Sequence, residues 1–357
     1  MRFTVLLTSL LTSLALSANT LPSQPVLTVK PAMQQVVASD AKLEVLAEGF
    51  RWSEGPVAEP QTGDILFSDV PANTVYRWNE AQGLTVYLQP SGYTGLYPQN
   101  NRQQGANGLI FNQKNQLVLA QHGDRRLALL TGFDNGVPQY QRLVTAFNGK
   151  LLNSPNDLVQ HSSGAYYFTD PPYGLAGGDD SAEKQLSVNG VYRLDSAGKL
   201  TLLVDNLTRP NGLAFSPDEQ WLYVANSDKN AAKWWRYAVK ADGSLSEGEL
   251  FFDATSQAQQ QNGLPDGLKV LPSGIILATG PGGVWALSPE GEHLGTIQTG
   301  VAAANVALSS DNHWLYITAS NYLLRIALKS EPLNAGLLLP ARVIFTDIKG
   351  NLLAFNG

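Results

Sequence analysis

The chain has 357 residues, 15% of them charged, with 33 glycines, 20 prolines, no cysteine and a formal net charge of −6. That length is ample for a large core, and so charge-poor a composition, rich in Gly and Pro, suits many short strands and tight turns. The acidic balance excludes a nucleic-acid footprint, and the missing thiols exclude a disulfide scaffold, a cysteine nucleophile and lipid attachment through cysteine.

The N-terminus reads "MRFTVLLTSLLTSLALSANT": a positive charge at Arg2, an apolar stretch from Phe3 to Leu16, then the small residues Ser17 and Ala18. This is the pattern of a secretory signal peptide over residues 1–18. The stretch falls short of the roughly 20 apolar residues that span a bilayer. The expectation is therefore an exported protein, periplasmic or secreted, with no membrane association after cleavage. Residues 19–40 are rich in Pro, Ser, Gln and Thr and read as a linker or loosely packed arm. No second linker follows, so residues 41–357 are expected to form one domain.

Within that domain six segments line up. They are "EGPVAEPQTGDILFSDV" from Glu54, "NGLIFNQKNQLVLAQHG" from Asn107, "NDLVQHSSGAYYFTDPP" from Asn156, "NGLAFSPDEQWLYVANS" from Asn211, "DGLKVLPSGIILATGPG" from Asp266 and "NVALSSDNHWLYITASN" from Asn305. Each has a polar residue, a short apolar strand, a turn and a second apolar strand. Further hairpins fill the intervals, with turns predicted at Ser196-Ala197-Gly198 and Pro289-Glu290-Gly291. A period of roughly 40–55 residues with four strands per unit predicts an all-β fold, a six-bladed β-propeller around a central channel. The stretch before Glu54 and the C-terminal "ARVIFTDIKGNLLAFN" offer strands to close the ring, which would otherwise leave unpaired edges.

Two readings of the repeated polar residue stand side by side. Asn-Gly and Asp-Gly are hairpin-turn signals, so Asn107, Asn211 and Asp266 fit ordinary turns. Yet Glu54, Asn156 and Asn305 hold the same phase without turn-forming partners. Six polar groups at the start of six inner strands would converge at one mouth of the channel. Buried without partners they cost about 1–3 kcal/mol each, so a divalent cation is the natural occupant. Oxygen-only donors with two carboxylates favour Ca²⁺, with Mg²⁺ or Mn²⁺ next and Zn²⁺ least suited. Asp266 would bind the ion through one oxygen and activate water with the other.

His122, in "LAQHGDRR", ends the second strand of its unit, as Asp170 ends its own; both are candidates to face the site. Loops from Gln89, Asp170 and Ala254 run to the same mouth, bringing Tyr93, Tyr97 and Tyr173 as candidate substrate contacts. Such polar walls suit a small hydroxylated substrate.

Eight motifs in order carry a family resemblance: "SEGPV", "GANGLIF", "AQHGDRR", "SPNDLV", "FTDPPYGL", "RPNGLAFSPDEQWLYVA", "LPDGLKV" and "ANVALSSDNHWLYITA". Together they resemble the gluconolactonases, regucalcin and related lactonases. The resemblance implies a metal-dependent hydrolase of sugar lactones such as glucono-1,5-lactone. It implies metal ligands at Glu54, Asn211 and Asp266, with Asn156 near metal and substrate and Asp266 as the base. With Asn156 from the resemblance and Asn107, Asn305, His122, Asp170 and Tyr173 from their places in the repeat and loops, these six are the expected substrate contacts, and the expected partner is a lactone or sugar acid. One position departs from the pattern. Animal regucalcins carry arginine where this chain has Ser154, so their substrate preference does not transfer. Two alternatives remain open: a noncatalytic sugar-binding or interaction propeller, and the same site acting on another ester or lactone.

Overall fold

The computed structural model describes residues 21–97 and 103–329. Apart from a small two-stranded hairpin, Ala146–Phe147 with Lys150–Leu151, their strands form six antiparallel sheets arranged as blades of a propeller, each running outward from an axial innermost strand. Blade 1 comprises Ser53–Ala58, Ile65–Asp69, Thr74–Asn79 and Gly83–Leu88. Blades 2 to 5 begin with the inner strands Ala106–Phe111, Leu158–Gln160, Pro210–Phe215 and Leu268–Val270. Blade 6 has Ala303–Leu308, Trp314–Ala319 and Tyr322–Ala327, and takes its outermost strand, Glu44–Glu48, from the other end of the chain. The register pairs Glu44 with Arg325 and Glu48 with Tyr322. This pairing closes the ring, as expected for the stretch before Glu54. The C-terminal segment also expected to close it lies outside the described residues, as does the signal peptide.

The six repeated segments each supply the first two strands of a blade, and the predicted turns fall where expected, with Gly198 and Gly291 in left-handed backbone. Second strands are buried on both faces because each blade is sandwiched between two others. Burial is therefore greatest between blades, where apolar residues of adjacent sheets interdigitate.

Within the arm expected over residues 19–40, the described residues 21–40 are not loose. Val26–Thr28 adds a fifth strand to blade 5 by pairing with Gly295–Ile297. Met33, Val36 and Val37 insert between blades 5 and 6 among Leu277, Ile297 and Leu324. Its Pro- and Gln-rich composition hid three apolar anchors, and burying them outweighs the weak local pattern. Among the described residues no helix is long and apolar enough to cross a membrane.

Candidate functional site at the channel mouth

Four of the six inner strands begin with bulges. Register shifts separate Glu54 from Val57, Ala106 from Leu109, Pro210 from Leu213 and Ala303 from Asn305. A bulge adds a residue and re-aims its side chain, here toward the axis. Asn107-Gly108 and Asn211-Gly212 therefore lie inside strands, so the hairpin-turn reading gives way to that of a common centre. The glycines serve close approach. A Cβ on Gly212 would stand 2.2 Å from the Asp266 carbonyl oxygen, and one on Gly267 would stand 2.0 Å from the Asn305 amide.

Bonds between blades show which residues share a level. Gly108 N–H donates to the Asn156 carbonyl (2.7 Å), and Gly267 N–H to that of Ala304 (2.8 Å). The hydroxyls of Ser68, Thr169 and Thr279 donate to the carbonyls of Asn107, Asn211 and Ala304 at 2.9, 2.7 and 3.0 Å. The upper level thus reads Glu54, Asn107, Asn156, Asn211, Asp266 and Ala304. Blade 6 contributes alanine, and Asn305, expected in the ring, sits one step deeper. Sequence phase alone misplaced it because blade 6 bulges one residue earlier.

Glu54, Asn107, Asn156, Asn211 and Asp266 line one cavity of about 310 Å³, walled by Trp52, Tyr173, Ser227 and Leu264. Glu54 is 2% exposed. Its carboxylate accepts the Gly55 N–H at 3.0 Å and further bonds from Trp52 and Asn305. Burial nevertheless pushes its pKa up to about 7, aided by the charge of Asp157. Asp266 rises well above the usual carboxylate range, first through burial and then through Glu54 and Asp157. Three acids thus share one dry region.

His122 lies behind this surface. Its Nε2 meets Asn156 Oδ1 at 3.1 Å, and the Asn156 amide donates onward to Asn211 Oδ1. Burial lowers its pKa to about 4, so the ring is neutral at pH 7 and holds Asn156 in place. Asp170 is corrected: it does not face the cavity but accepts the N–H groups of Asn153 (2.7 Å) and Ser154 (2.8 Å), bracing the chain ahead of Asn156. Ser154 is likewise structural, tying Pro171 and Gly174 through its hydroxyl. Of the three tyrosines only Tyr173 lines the cavity, hydrogen-bonded to Ser227 and Asn211. Sequence reasoning missed Trp52, one residue outside its motif, and Asp157, whose only signal was a carboxylate where four other units have glycine.

The donor set fits a hard cation. Asp266 Oδ1 and Asn107 Oδ1 are buried and accept no hydrogen bond among the described residues. Nor do any three His, Cys, Asp or Glu side chains among them gather closely enough to hold an ion alone. An ion bound here would need amide oxygens as well as carboxylates, a donor set that would suit Ca²⁺ better than Zn²⁺.

Comparison with known proteins agrees with this architecture. The model of the SMP-30/gluconolactonase/LRE-like region matches residues 52–321. A gluconolactonase from Zymomonas mobilis is 36% identical over 305 residues, covering 84% of this chain and 85% of its own. The solved structure of a gluconolactonase from Xanthomonas campestris superposes with a TM-score of 0.73 at 31% identity, covering 85% of this chain and 94% of its own. A calcium-binding regucalcin from Agrobacterium tumefaciens gives a TM-score of 0.60 at 20% identity over 81% of this chain and 95% of its own, a likeness of fold alone.

Proposed function

The chain belongs to the SMP-30/gluconolactonase/LRE-like family, and from that premise we propose an exported, cation-dependent hydrolase that opens aldonolactones such as glucono-1,5-lactone. The observation that carries this reading is the pair of buried, unpartnered acceptors, Asp266 Oδ1 and Asn107 Oδ1, in a cavity that also holds Glu54. Glu54, Asn211 and Asp266 would hold the ion, with Asn156 beside them. A bound divalent cation supplies the positive charge that offsets the two carboxylates and polarises a lactone carbonyl. Export is supported by the signal-peptide pattern of residues 1–18.

The chain's own groups account for the rest. Asp266, its carboxylate raised in basicity by burial, takes a proton from the attacking water. The water oxygen bonds to the carbonyl carbon, the ring C–O bond breaks, and Asp266 returns the proton to the departing ring oxygen. Asn107 and the Tyr173 hydroxyl, which line the cavity, would hold substrate hydroxyls, and Trp52 and Leu264 would exclude bulk water. The new carboxylic acid then releases its remaining proton to solvent and leaves as the sugar-acid anion.

The test strips the protein with chelator, then restores Ca²⁺, Mg²⁺, Mn²⁺ or Zn²⁺ singly against a panel of lactones. Opening of glucono-1,5-lactone should return only with cation, and most strongly with Ca²⁺. Equal rates with and without cation would remove the ion from the mechanism. Stabilisation by sugars without turnover would make the protein a binding propeller.

A further inference from the structure

Beneath the ring the channel has a second level, read from the same inter-blade bonds: Gly55, Gly108, Asp157, Gly212, Gly267 and Asn305. Four positions lack side chains, and the other two belong to blades 3 and 6, which face each other across a six-membered ring. Asn305 Nδ2 donates to Asp157 Oδ2 at 3.3 Å, a bond that spans the axis. The far oxygen of Asp157 accepts the Leu158 N–H at 2.8 Å. Asn305 Oδ1 accepts the Val306 N–H at 2.8 Å, which fixes the orientation of the amide and commits its two protons. Asp157 takes one, and Glu54 also receives a hydrogen bond from this side chain. Asn305 is 2% exposed and is not among the residues that line the cavity. The missing Cβ of Gly267 gives the amide its space.

We propose that Asn305 is a positioning residue: with Asp157 it forms a crossbar that floors the site and fixes the direction of the Glu54 carboxylate. The inference deepens the reading of the ring as the working site and rests on it. A buried acid facing two others has little reason to hold one geometry unless a donor dictates it. Beside the Gly55 N–H and Trp52, Asn305 is the donor that reaches Glu54 from the lower level, and the glycines around it keep other side chains from competing for the axis.

The decisive variant is Asn305→Leu, which keeps the volume and removes both donors. Calorimetric titration of the chelator-stripped protein with Ca²⁺ should show affinity weakened about tenfold, and kcat should fall about 10- to 100-fold with KM within about twofold. A raised KM with unchanged Ca²⁺ affinity would make Asn305 a substrate contact. A lowered Tm with kcat and Ca²⁺ affinity both unchanged would make it packing only. Either result overturns the proposal. An independent readout uses ¹⁵N-labelled, chelated protein, in which the Asn305 side-chain amide is the signal missing from Asn305→Leu. It should shift in both Asp157→Ala and Glu54→Gln, and a signal unmoved in either defeats the crossbar. Should the wild-type protein neither bind Ca²⁺ nor open lactones while the amide still shifts in both, the functional reading fails and the crossbar stands.

Discussion

The two ends of the propeller use the same amino acids in opposite ways. At the far end, Asp218 and Asp311 sit in exposed hairpin turns. Asp218 accepts bonds from the Ser216 hydroxyl and Gln220 N–H, and Asp311 from the Ser309 hydroxyl and His313 N–H. Those bonds hold both carboxyls below the ordinary range. At the mouth, Glu54, Asp157 and Asp266 are raised, in each case chiefly by burial. The far-end acids are satisfied by their own turns and do local structural work. Those at the mouth share a dry region, where Asp266 keeps one buried oxygen without a donor among the described residues, and a group held that way at a cost to stability is available to a ligand. Burial alone does not mark a site aspartate, since Asp170 is also raised to about 7 by burial while both its oxygens accept backbone N–H groups; what sets Asp266 apart is a buried oxygen without a donor among the described residues.

Four substitutions or conditions can break or sharpen that contrast. Asp266→Asn should lower kcat/KM on glucono-1,5-lactone by about 10²–10⁴-fold, measured by pH-stat, while leaving the far-UV spectrum intact. A loss below tenfold would take the base role from Asp266. Asp170→Ala leaves two buried N–H groups unsatisfied at about 1–3 kcal/mol each. It should reduce Tm by on the order of 5 °C or more with KM unchanged in the folded fraction, whereas a raised KM at constant Tm would return Asp170 to the substrate.

The third is a pH dependence. Glu54 titrates at about 7 in the folded protein against an ordinary 4.5, so the folded state keeps a proton that the unfolded chain has already lost. Its contribution to stability is therefore fully present below pH 4.5 and is lost as pH rises through 7. Cation-free protein should melt several degrees lower at pH 8 than at pH 5.5, and Glu54→Gln should flatten that slope. An unchanged slope in the variant would show that burial of Glu54 is not its source. The smallest effect is at the far end: Asp218→Ala should leave kcat/KM unchanged and lower Tm by no more than about 2 °C.

Much of the fold was legible because a propeller repeats one local unit. The apolar alternation, the turns and the strand count recur six times, so errors in one unit are corrected by the others. Glu54, Asn107, Asn156, Asn211 and Asp266 were legible for the same reason, since each shares a phase with an inner strand. The failures are equally specific. The phase put Asn305 in the ring because a pattern does not reveal where a bulge falls, and the shift of one residue in blade 6 brings Ala304 there instead. Asp170 looked like a site residue because it shares a strand end with His122, while its hydrogen bonds turn it to the backbone of Asn153 and Ser154. The arm of residues 19–40 looked loose because Met33, Val36 and Val37 find their apolar partners only on blades 5 and 6.

The sequence by itself determined the architecture, the family and the polar residues that line the channel mouth, because these follow from local periodicity and residue chemistry. Only the tertiary structure decided which donors remain unsatisfied, which carboxylates are coupled, and that Asp157 and Asn305 meet across the channel. Those properties depend on burial and on distances between residues nearly 150 positions apart, fixed when the blades close around the axis.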